Sequence, residues 1–498
     1  MSNKSVSDPV HGLIRLGQME SELLATSAMQ RLHGVHQLGL AYMVYPGAKY
    51  TRHAHSIGAY HNATKLMAAL KNNLGQTAFE KFAPQSHVQN CSVIALMHDI
   101  GHYPFSHATE HVIKDYFSSN TSGNGILVSS SQNSQARSGS IEGGINHEKM
   151  GAYIISRDPE VAGVLKKYGL DPEEVARCFR GKNPDFKLLG VISSDLDCDR
   201  LDYLRRTAHN SGAPYGSIDV EFLIEQATFD RDGNFCFKDK AARAADHLLI
   251  SRFYDYMQVP YNKTAVAIEW SLHECLKEAF RQKRIKPSGD AMRSLVDNGE
   301  WPSFDDQHVM SIFRKMTEDA EPRSVLHDHL RAIQRREPAK LVATWDTLRF
   351  RRDTKFSGEP VISDDVKDTY SAHVKVRDQL STIVKTIADQ CGLDPKRLNA
   401  WDAKVSFMKD GQELDNTSQS EPEYYAEGVH LFDAVSRNAG RIGARQDMLI
   451  GTLKHKYMSA VRLYYLPHSS ERGEMDAIYE NIGKCLRNAM PRPTWAAA

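Results

Sequence analysis

Histidine and aspartate residues in the N-terminal half of the chain have types and spacing that suit metal-assisted hydrolysis. His98 and Asp99 are adjacent at the end of an apolar run, VIALMHDIGHYPFSH, with His55 before them and Asp199 after them. Imidazole and carboxylate together suit one divalent transition metal per site, such as Mn, Fe, Zn, Co or Ni. Four ligands leave positions for water and a phosphate oxygen, as hydrolytic sites require. Each residue alone could be a polar residue on a helix surface, and the joint pattern is what predicts a metal centre.

His102 is a candidate for proton transfer beside this centre. It follows His98 by four residues, a spacing that would place both on one face of a continuous helix. An imidazole there can donate a proton to the leaving group near neutral pH. For His102 and for His147 the alternative is a hydrogen-bonded structural histidine.

The elements that must position these residues are mostly helices. Apolar residues recur every three or four positions from Glu20 to about Asp115 and again from His147 to about Gln282. Pro104 and the glycine before His102 suit a helix that ends just after the His98-Asp99 pair. Residues 118–146 are rich in Ser, Gly and Asn and are predicted to form a mobile surface loop. Beyond 282 come charged helices and two alternating segments, 403–409 and 459–466, predicted to be strands of a small sheet.

Composition limits the classes of function. Lysine plus arginine equals aspartate plus glutamate, at 62 each, so no general basic field draws the chain to nucleic acid, and phosphate binding must be local. No apolar run has the length of a signal peptide or a membrane span, which predicts a cytoplasmic protein with no membrane partner. Seven cysteines without a C-x-x-C pair argue against a thiolate zinc site and a disulfide framework.

Six segments resemble a known family in order and spacing. They are DPVHGLIRL, MQRLHGVHQLG, YPGAKYTRHAHSIGAY, LMHDIGHYPFSHATEH, NHEKMG and DCDRLDYLRR. They are similar to the HD-domain deoxynucleoside triphosphate triphosphohydrolases, which include dGTPase-like enzymes and the animal enzyme that joins an HD domain to a sterile-alpha-motif domain. The resemblance is strong over residues 8–282 and weak beyond. It implies a mainly α fold, with an HD-domain helical core in 1–282 and a smaller C-terminal α+β region in 283–498 for oligomerisation or regulation.

The resemblance also implies roles for individual side chains. The implied metal ligands are His55, His98, Asp99 and Asp199. The implied acid/base cluster near the α-phosphate is His102, His147 and Glu110, with His107 supporting it. The implied phosphate contacts are Arg52, Arg200 and Arg252, and the implied deoxyribose contacts are Gln37, Leu38 and Tyr203. The arginines could instead be salt-bridge partners, and Tyr203 could be a core tyrosine.

Two departures from the family pattern affect what the resemblance implies. Ala25 and His33 stand where the animal enzyme has a carboxylate and an arginine that read an activating guanine nucleotide. We therefore do not expect GTP to activate this chain in the same way, and a different nucleotide activator stays open. The family's Y-x-H-K segment reads 260-PYNK-263 here, which changes the substrate end of the site.

The expected reaction is metal-dependent hydrolysis of a deoxynucleoside triphosphate to a deoxynucleoside and inorganic triphosphate. Mg²⁺ could accompany the nucleotide phosphates, and the resemblance implies a homo-oligomer, either a dimer, a tetramer or a hexamer. The biological role could be antiphage defence or control of nucleotide pools. Alternatives are an HD-type phosphodiesterase or nuclease acting on cyclic or oligonucleotides, and a nucleotide-sensing regulatory protein with a degenerate site.

Overall fold

The fold is mainly helical, as predicted. The computed structural model describes residues 4–119, 144–350, 380–407, 429–433, 438–445, 447–453, 456–468, 470–489 and 495–496. Its α-helices are α1 Gln18–Leu24, α2 Ser27–Gln30, α3 Arg52–Leu74, α4 Gln76–Phe82, α5 Gln85–Met97, α6 His107–Ser119, α7 His147–Arg157, α8 Pro159–Lys167, α9 Pro172–Phe179, α10 Leu189–Ile192, α11 Cys198–Ser211, α12 Val220–Glu225, α13 Ala242–Gln258, α14 Lys263–Arg281, α15 Gly289–Asp297, α16 Asp306–Asp319, α17 Val325–Gln334, α18 Leu380–Cys391, α19 Leu449–Leu453 and α20 Met475–Ala489. Its strands are β1 Lys4–Asp8, β2 Gly12–Leu16, β3 Ala227–Phe229, β4 Phe235–Lys238, β5 Lys340–Phe350, β6 Leu398–Ser406, β7 His430–Asp433, β8 Asn438–Arg441, β9 Lys456–Tyr465 and β10 Trp495–Ala496.

Helix α3 is the central element of the N-terminal part, where it packs against α5 and α11. The Thr51 side chain caps its first turn, and Gly75, with a φ of 82°, ends it. Gly58 lies where α3 meets α11, because a Cβ built there would lie 1.9 Å from Asp202 Oδ1. Glycine at this position therefore permits a close approach of the two helices that any side chain would prevent.

The segment after α5 carries the paired histidine and aspartate. The helix ends at Met97, with His98 as its C-terminal cap, so it stops just before the pair and not just after it as predicted. The inference that His98 and His102 share a helix face is wrong, because the helix has already ended and turns place His102. Gly101 is pressed against α7: a Cβ there would lie 2.2 Å from the His147 carbonyl oxygen.

Two four-stranded sheets accompany the helices, one within the C-terminal part and one that joins β3 and β4 of the N-terminal part to β7 and β8. The strand order is β10-β5-β9-β6 in one and β3-β4-β7-β8 in the other, with β4 and β7 parallel. The predicted strands at 403–409 and 459–466 overlap β6 and β9, which pair antiparallel with Ala403 opposite Ala460. Residues 408–409 lie outside the described part.

The main apolar core spans most of the chain. One cluster of buried side chains extends from Ile14 to Ile333 and also includes Ile442 and Ile450. A separate cluster joins α18 and α20 to the sheet around β9, with Val461 and Ile482 fully buried. Among the helices that the structure describes, none combines the length and the apolarity needed to cross a bilayer.

The predicted loop at 118–146 falls mostly outside the described residues. At its edges, Ser118 and Ser119 belong to α6. Asn146 caps α7 by accepting a hydrogen bond from the Lys149 amide at 2.9 Å. The polar composition at these edges therefore serves helix ends.

Candidate active site

The four predicted metal ligands lie together, and we call them the metal cluster: His55, His98, Asp99 and Asp199. They come from α3, from the turn after α5 and from the first turn of α11. His55 Nε2 lies 3.1 Å from His98 Nε2 and 2.8 Å from Asp199 Oδ1. His98 Nε2 lies 3.4 Å from Asp99 Oδ1 and 4.0 Å from Asp199 Oδ1.

These distances fit a single divalent cation. With metal–ligand bonds of about 2.1 Å, neighbouring donors in tetrahedral or octahedral geometry are about 3 to 3.4 Å apart. The donor atoms of His55, His98 and Asp99 lie within 4.8 Å of one another, and Asp199 Oδ1 joins them on the His55 side at 2.8 Å. Two imidazole nitrogens that face each other, with carboxylates on either side, form a donor set for a borderline metal ion.

Asp202 fixes the orientation of His55. It lies three residues after Asp199 on α11, and its Oδ2 is 2.7 Å from His55 Nδ1. Its oxygens also accept from Arg206 at 2.8 Å, and Oδ1 lies 2.6 Å from His11 Nε2. A carboxylate that holds one ring nitrogen directs the other toward the metal. Burial opposes the charged form of His55, but Asp199 and Asp202 outweigh it and raise its pKa to about 10.

The sequence analysis did not single out Asp202, Arg206 or His11. The signal was present in DCDRLDYLRR, because residues three or four apart on a helix share a face. Asp202 therefore follows Asp199 onto the side of α11 that meets α3. The pairing with His11, 191 residues away, is a tertiary contact that spacing does not reveal.

Three further histidines form a second group beside the first, and we call it the imidazole cluster: His102, His107 and His147. One ring nitrogen of each lies within 4.8 Å of the others. His147 Nδ1 is 2.7 Å from Glu110 Oε2, and His107 Nδ1 is 3.7 Å from the same oxygen. His102 Nδ1 lies 3.2 Å from Asp99 Oδ1, so the two clusters adjoin.

The pKa values of two members shift in opposite directions. Burial opposes protonation of His147, but the charge and hydrogen bond of Glu110 outweigh it and raise the His147 pKa. Burial, together with the positive charge of Arg52, lowers the pKa of His102 well below its usual value. Neighbouring groups whose pKa values are pushed apart are suited to act as an acid and a base.

Each of the three predicted phosphate-binding arginines pairs with an aspartate. Arg52 Nη1 lies 2.6 Å from Asp99 Oδ2, and Arg252 donates to Asp195 Oδ1 at 2.8 Å. Arg200 donates to Asp197. A guanidinium has five N–H donors, so a pair of this kind leaves donors for phosphate oxygens. Phosphate contact by these arginines stays a prediction.

The predicted deoxyribose contacts lie on two elements. Gln37 precedes Leu38 in the segment before α3, and its buried side-chain Oε1 makes no hydrogen bond among the described residues. Leu38 packs against a small apolar cluster that contains Tyr215. Tyr203 is half-buried on α11 and packs against the main core. That packing fits the core-tyrosine alternative, so its role at the sugar stays a prediction.

The positions that depart from the family pattern have structural roles of their own. Ala25 caps the C-terminus of α1, and the His33 ring stacks on His53 at 3.6 Å between centroids. Asn262 caps α14 by accepting from the Thr264 amide, and its side chain donates to Tyr45 Oη at 3.1 Å.

Comparisons with known proteins agree with this geometry. The family described as the HD domain matches residues 52–205, which include all seven members of the two clusters. Curated relatives include the uncharacterized protein YwfO of Bacillus subtilis, 28% identical, covering 55% of this chain and 56% of YwfO. They also include the deoxynucleoside triphosphate triphosphohydrolase SAMHD1 of Gallus gallus, 24% identical, covering 68% of this chain and 56% of that protein.

Solved structures support the fold. A hypothetical protein from Aquifex aeolicus has a TM-score of 0.65 at 21% identity, covering 97% of this chain and 100% of its own. A phosphohydrolase from Bacteroides thetaiotaomicron has a TM-score of 0.63 at 20% identity, covering 94% and 100%. The chain spans less than two thirds of the length of the curated relatives it matches, 51% in the case of MJ1154 from Methanocaldococcus jannaschii and 38% in the case of human SAMHD1. Residues 52–205 thus match the HD-domain family, the His/Asp cluster within them fits a metal site, and the chain is similar to the deoxynucleoside triphosphate triphosphohydrolase SAMHD1.

Proposed function

We propose that the protein hydrolyses deoxynucleoside triphosphates to a deoxynucleoside and inorganic triphosphate. The observation that carries this proposal is the contact between the two clusters, where His102 Nδ1 lies 3.2 Å from the metal-cluster residue Asp99. A phosphate held at the metal cluster would then have titratable imidazoles within reach of its leaving oxygen. The similarity to SAMHD1 of chicken and human supports the choice of substrate class.

In the proposed reaction a water oxygen attacks the α-phosphorus and the bond from phosphorus to the 5′-oxygen breaks. When bound, a divalent ion at the metal cluster supplies Lewis acidity and lowers the pKa of a water molecule. His147, whose pKa Glu110 raises, holds a proton for the departing 5′-oxygen. His102 is neutral, because burial lowers its pKa, and is suited to accept a proton from the attacking water.

The arginines would hold the polyphosphate chain. Arg52 is buried beside both clusters and is anchored by Asp99 and by the Ser106 hydroxyl, to which its Nε donates at 2.9 Å. Arg200 and Arg252 lie near each other and near Tyr203. Planar guanidinium groups can contact phosphate oxygens through two donors at once, which positions the substrate as well as neutralising it.

The sugar end of the proposed site includes Gln37 and Tyr203. The buried Oε1 of Gln37 has no partner among the described residues, and a hydroxyl of the sugar would satisfy it. A tyrosine ring beside C2′ would exclude a 2′-hydroxyl by steric contact. We therefore expect deoxynucleotides to be preferred over ribonucleotides.

The test is product analysis with the purified chain, Mn²⁺ and each of the four dNTPs, with His98→Ala in parallel. We expect a deoxynucleoside and triphosphate in equal amounts, and no products from the variant. Release of a monophosphate and pyrophosphate would mean that the bond from the α-phosphorus to the oxygen bridging to the β-phosphorus breaks instead of the bond to the 5′-oxygen, and would reject the proposed cleavage. Hydrolysis of a cyclic dinucleotide or an oligonucleotide, without any dNTP turnover, would favour a phosphodiesterase instead.

A further inference from the structure

The imidazole cluster is itself a set of metal donors, separate from the metal cluster that the HD domain implies. Its three histidines come from the turn after α5 and from the first residues of α6 and α7. One ring nitrogen of each lies within 4.8 Å of the other two. Three imidazoles around an open position are a donor set found in catalytic zinc sites.

Glu110 orients a histidine of this cluster in the way that Asp202 orients His55 of the metal cluster. Its Oε2 lies 2.7 Å from His147 Nδ1, which leaves His147 Nε2 as the free nitrogen. Asp202 holds Nδ1 of His55 at the same distance, 2.7 Å. A carboxylate on one ring nitrogen fixes the tautomer and makes the other nitrogen a better ligand.

His102 gives an independent indication of a ligand. Its side chain is 5% exposed, and neither ring nitrogen makes a hydrogen bond to a described residue, although Nδ1 lies 3.2 Å from Asp99 Oδ1. Leaving a buried polar group unpaired costs about 1 to 3 kcal/mol, so such groups normally have a partner. The His102 and His147 rings are 4.0 Å apart between centroids, and His107 completes the group. A cation bound among the three rings would give His102 that partner.

We propose that the imidazole cluster binds a second divalent transition metal ion, more weakly than the metal cluster binds the first. The weaker affinity follows from charge, because the metal cluster has two carboxylate ligands whereas Glu110 only supports the imidazole cluster. His107 and His147 are also the first residues of helices, where the helix dipole disfavours a cation. Imidazole donors favour ions such as Co²⁺ or Zn²⁺ over Mg²⁺.

Occupancy of the second site inhibits hydrolysis. The bound ion takes the imidazole lone pairs that His102 and His147 need for proton transfer. This consequence rests on the proposed function, whereas binding of the second ion does not. Activity should therefore rise as the first ion binds and fall when excess ion fills the imidazole cluster.

The test is a titration of the metal-free, full-length chain with Co²⁺, followed by visible absorption and by the cobalt content after gel filtration. We expect two ions per chain in separate steps. His107→Ala should weaken the second step at least tenfold and leave the first, because the His107 side chain is 56% exposed and little packing is lost. Glu110→Gln should weaken the second step by about 10- to 100-fold, the usual effect of losing such a support.

Two controls complete the design. His98→Ala should remove the first step and keep the second. His111→Ala, one turn beyond His107 on α6, should keep both, since His111 is not part of the donor group. A single Co²⁺ per chain, or a second step that His107→Ala and Glu110→Gln leave unchanged, would overturn the proposal.

The outcomes also separate this site from the proposed function. Two bound ions without dNTP hydrolysis would sustain the second site and reject the function. Hydrolysis of dNTPs with only one bound ion per chain would sustain the proposed function and reject the second site. Hydrolysis that does not fall when the second ion binds would reject the inhibitory role alone.

Discussion

The metal cluster and the imidazole cluster adjoin, yet they manage charge in different ways. The metal cluster combines two histidines with two aspartates, and buried Asp202 holds His55 in place. The imidazole cluster combines three histidines with Glu110, which lies 2.7 Å from His147, and its His102 also approaches Asp99 of the metal cluster. The carboxylates of the first set can neutralise a cation, whereas in the second set Glu110 raises the pKa of His147 and burial lowers that of His102. Proximity alone therefore does not define a role, and the number of carboxylates beside each imidazole does.

Removing a metal ligand should have the largest effect and would show that only one cluster is essential for the first ion. We expect His98→Ala to lower dNTP hydrolysis by about 10³-fold or more, because the metal cluster would lose one of the ligands that would hold the ion. The measurement is the initial rate, with bound metal determined on the same sample. The control variant His111→Ala should retain both the wild-type rate and the bound metal. A variant that hydrolyses dNTPs at the wild-type rate would contradict the assignment.

Removing the support of His55 should have the next largest effect. We expect Asp202→Asn to weaken binding of the first ion by about 10- to 100-fold, since the ring loses the negatively charged carboxylate that holds it. The matched control is Asp8→Asn, which removes a carboxylate from the same guanidinium, Arg206, without touching His55. Equal metal affinity in the two variants would reject the special role of Asp202. Isothermal titration with Mn²⁺ makes the comparison.

Glu110→Gln should affect the pH dependence of hydrolysis and leave the first ion in place. Glu110 raises the pKa of His147, so its removal lowers that pKa. If His147 donates the proton, the alkaline limb of kcat/KM should move to lower pH and the maximum should fall by about 10- to 100-fold. Glu148→Gln, next to His147 on α7, should shift the limb less. An unshifted limb would exclude His147 as the acid.

Asp255 on α13 is a buried aspartate with few partners that would stabilise its charged form. Replacing it should have the smallest effect of the four changes. Burial raises its pKa to about 7, although Tyr215 donates a hydrogen bond to it. Asp202, by contrast, has a lowered pKa, because His11, His55 and Arg206 outweigh its burial. Two aspartates of equal burial thus differ because of their partners.

The expected consequence is a pH-dependent stability. Because the folded-state pKa of Asp255 is about 7 and its ordinary value is 3.8, this group stabilises the fold fully below pH 4. That contribution is lost as the pH rises through about 7, at up to about 1.4 kcal/mol per pH unit. Asp255→Asn should flatten the loss of stability between pH 5 and 7 in urea denaturation. An identical slope in both proteins would contradict the raised pKa.

Much of the fold and of the metal cluster could be predicted from the sequence. Helical periodicity gave the mainly α class, and the type and order of His55, His98, Asp99 and Asp199 indicated a metal centre before any geometry was known. The prediction that His98 and His102 share a helix face was wrong, since local spacing does not show where a helix ends. The contacts of Asp202 with His11, and of Arg252 with Asp195, join distant segments and need the tertiary fold.

Gly101 has a mechanical consequence. Its Cα is so close to the backbone of α7 that a Cβ would lie 2.2 Å from both the His147 carbonyl oxygen and the Gly151 amide nitrogen. The turn that carries Asp99 and the helix that carries His147 therefore share a backbone contact and should move as one rigid body. The distance between the two clusters is then set by this backbone contact. A side-chain substitution in one cluster should therefore leave the other in its place.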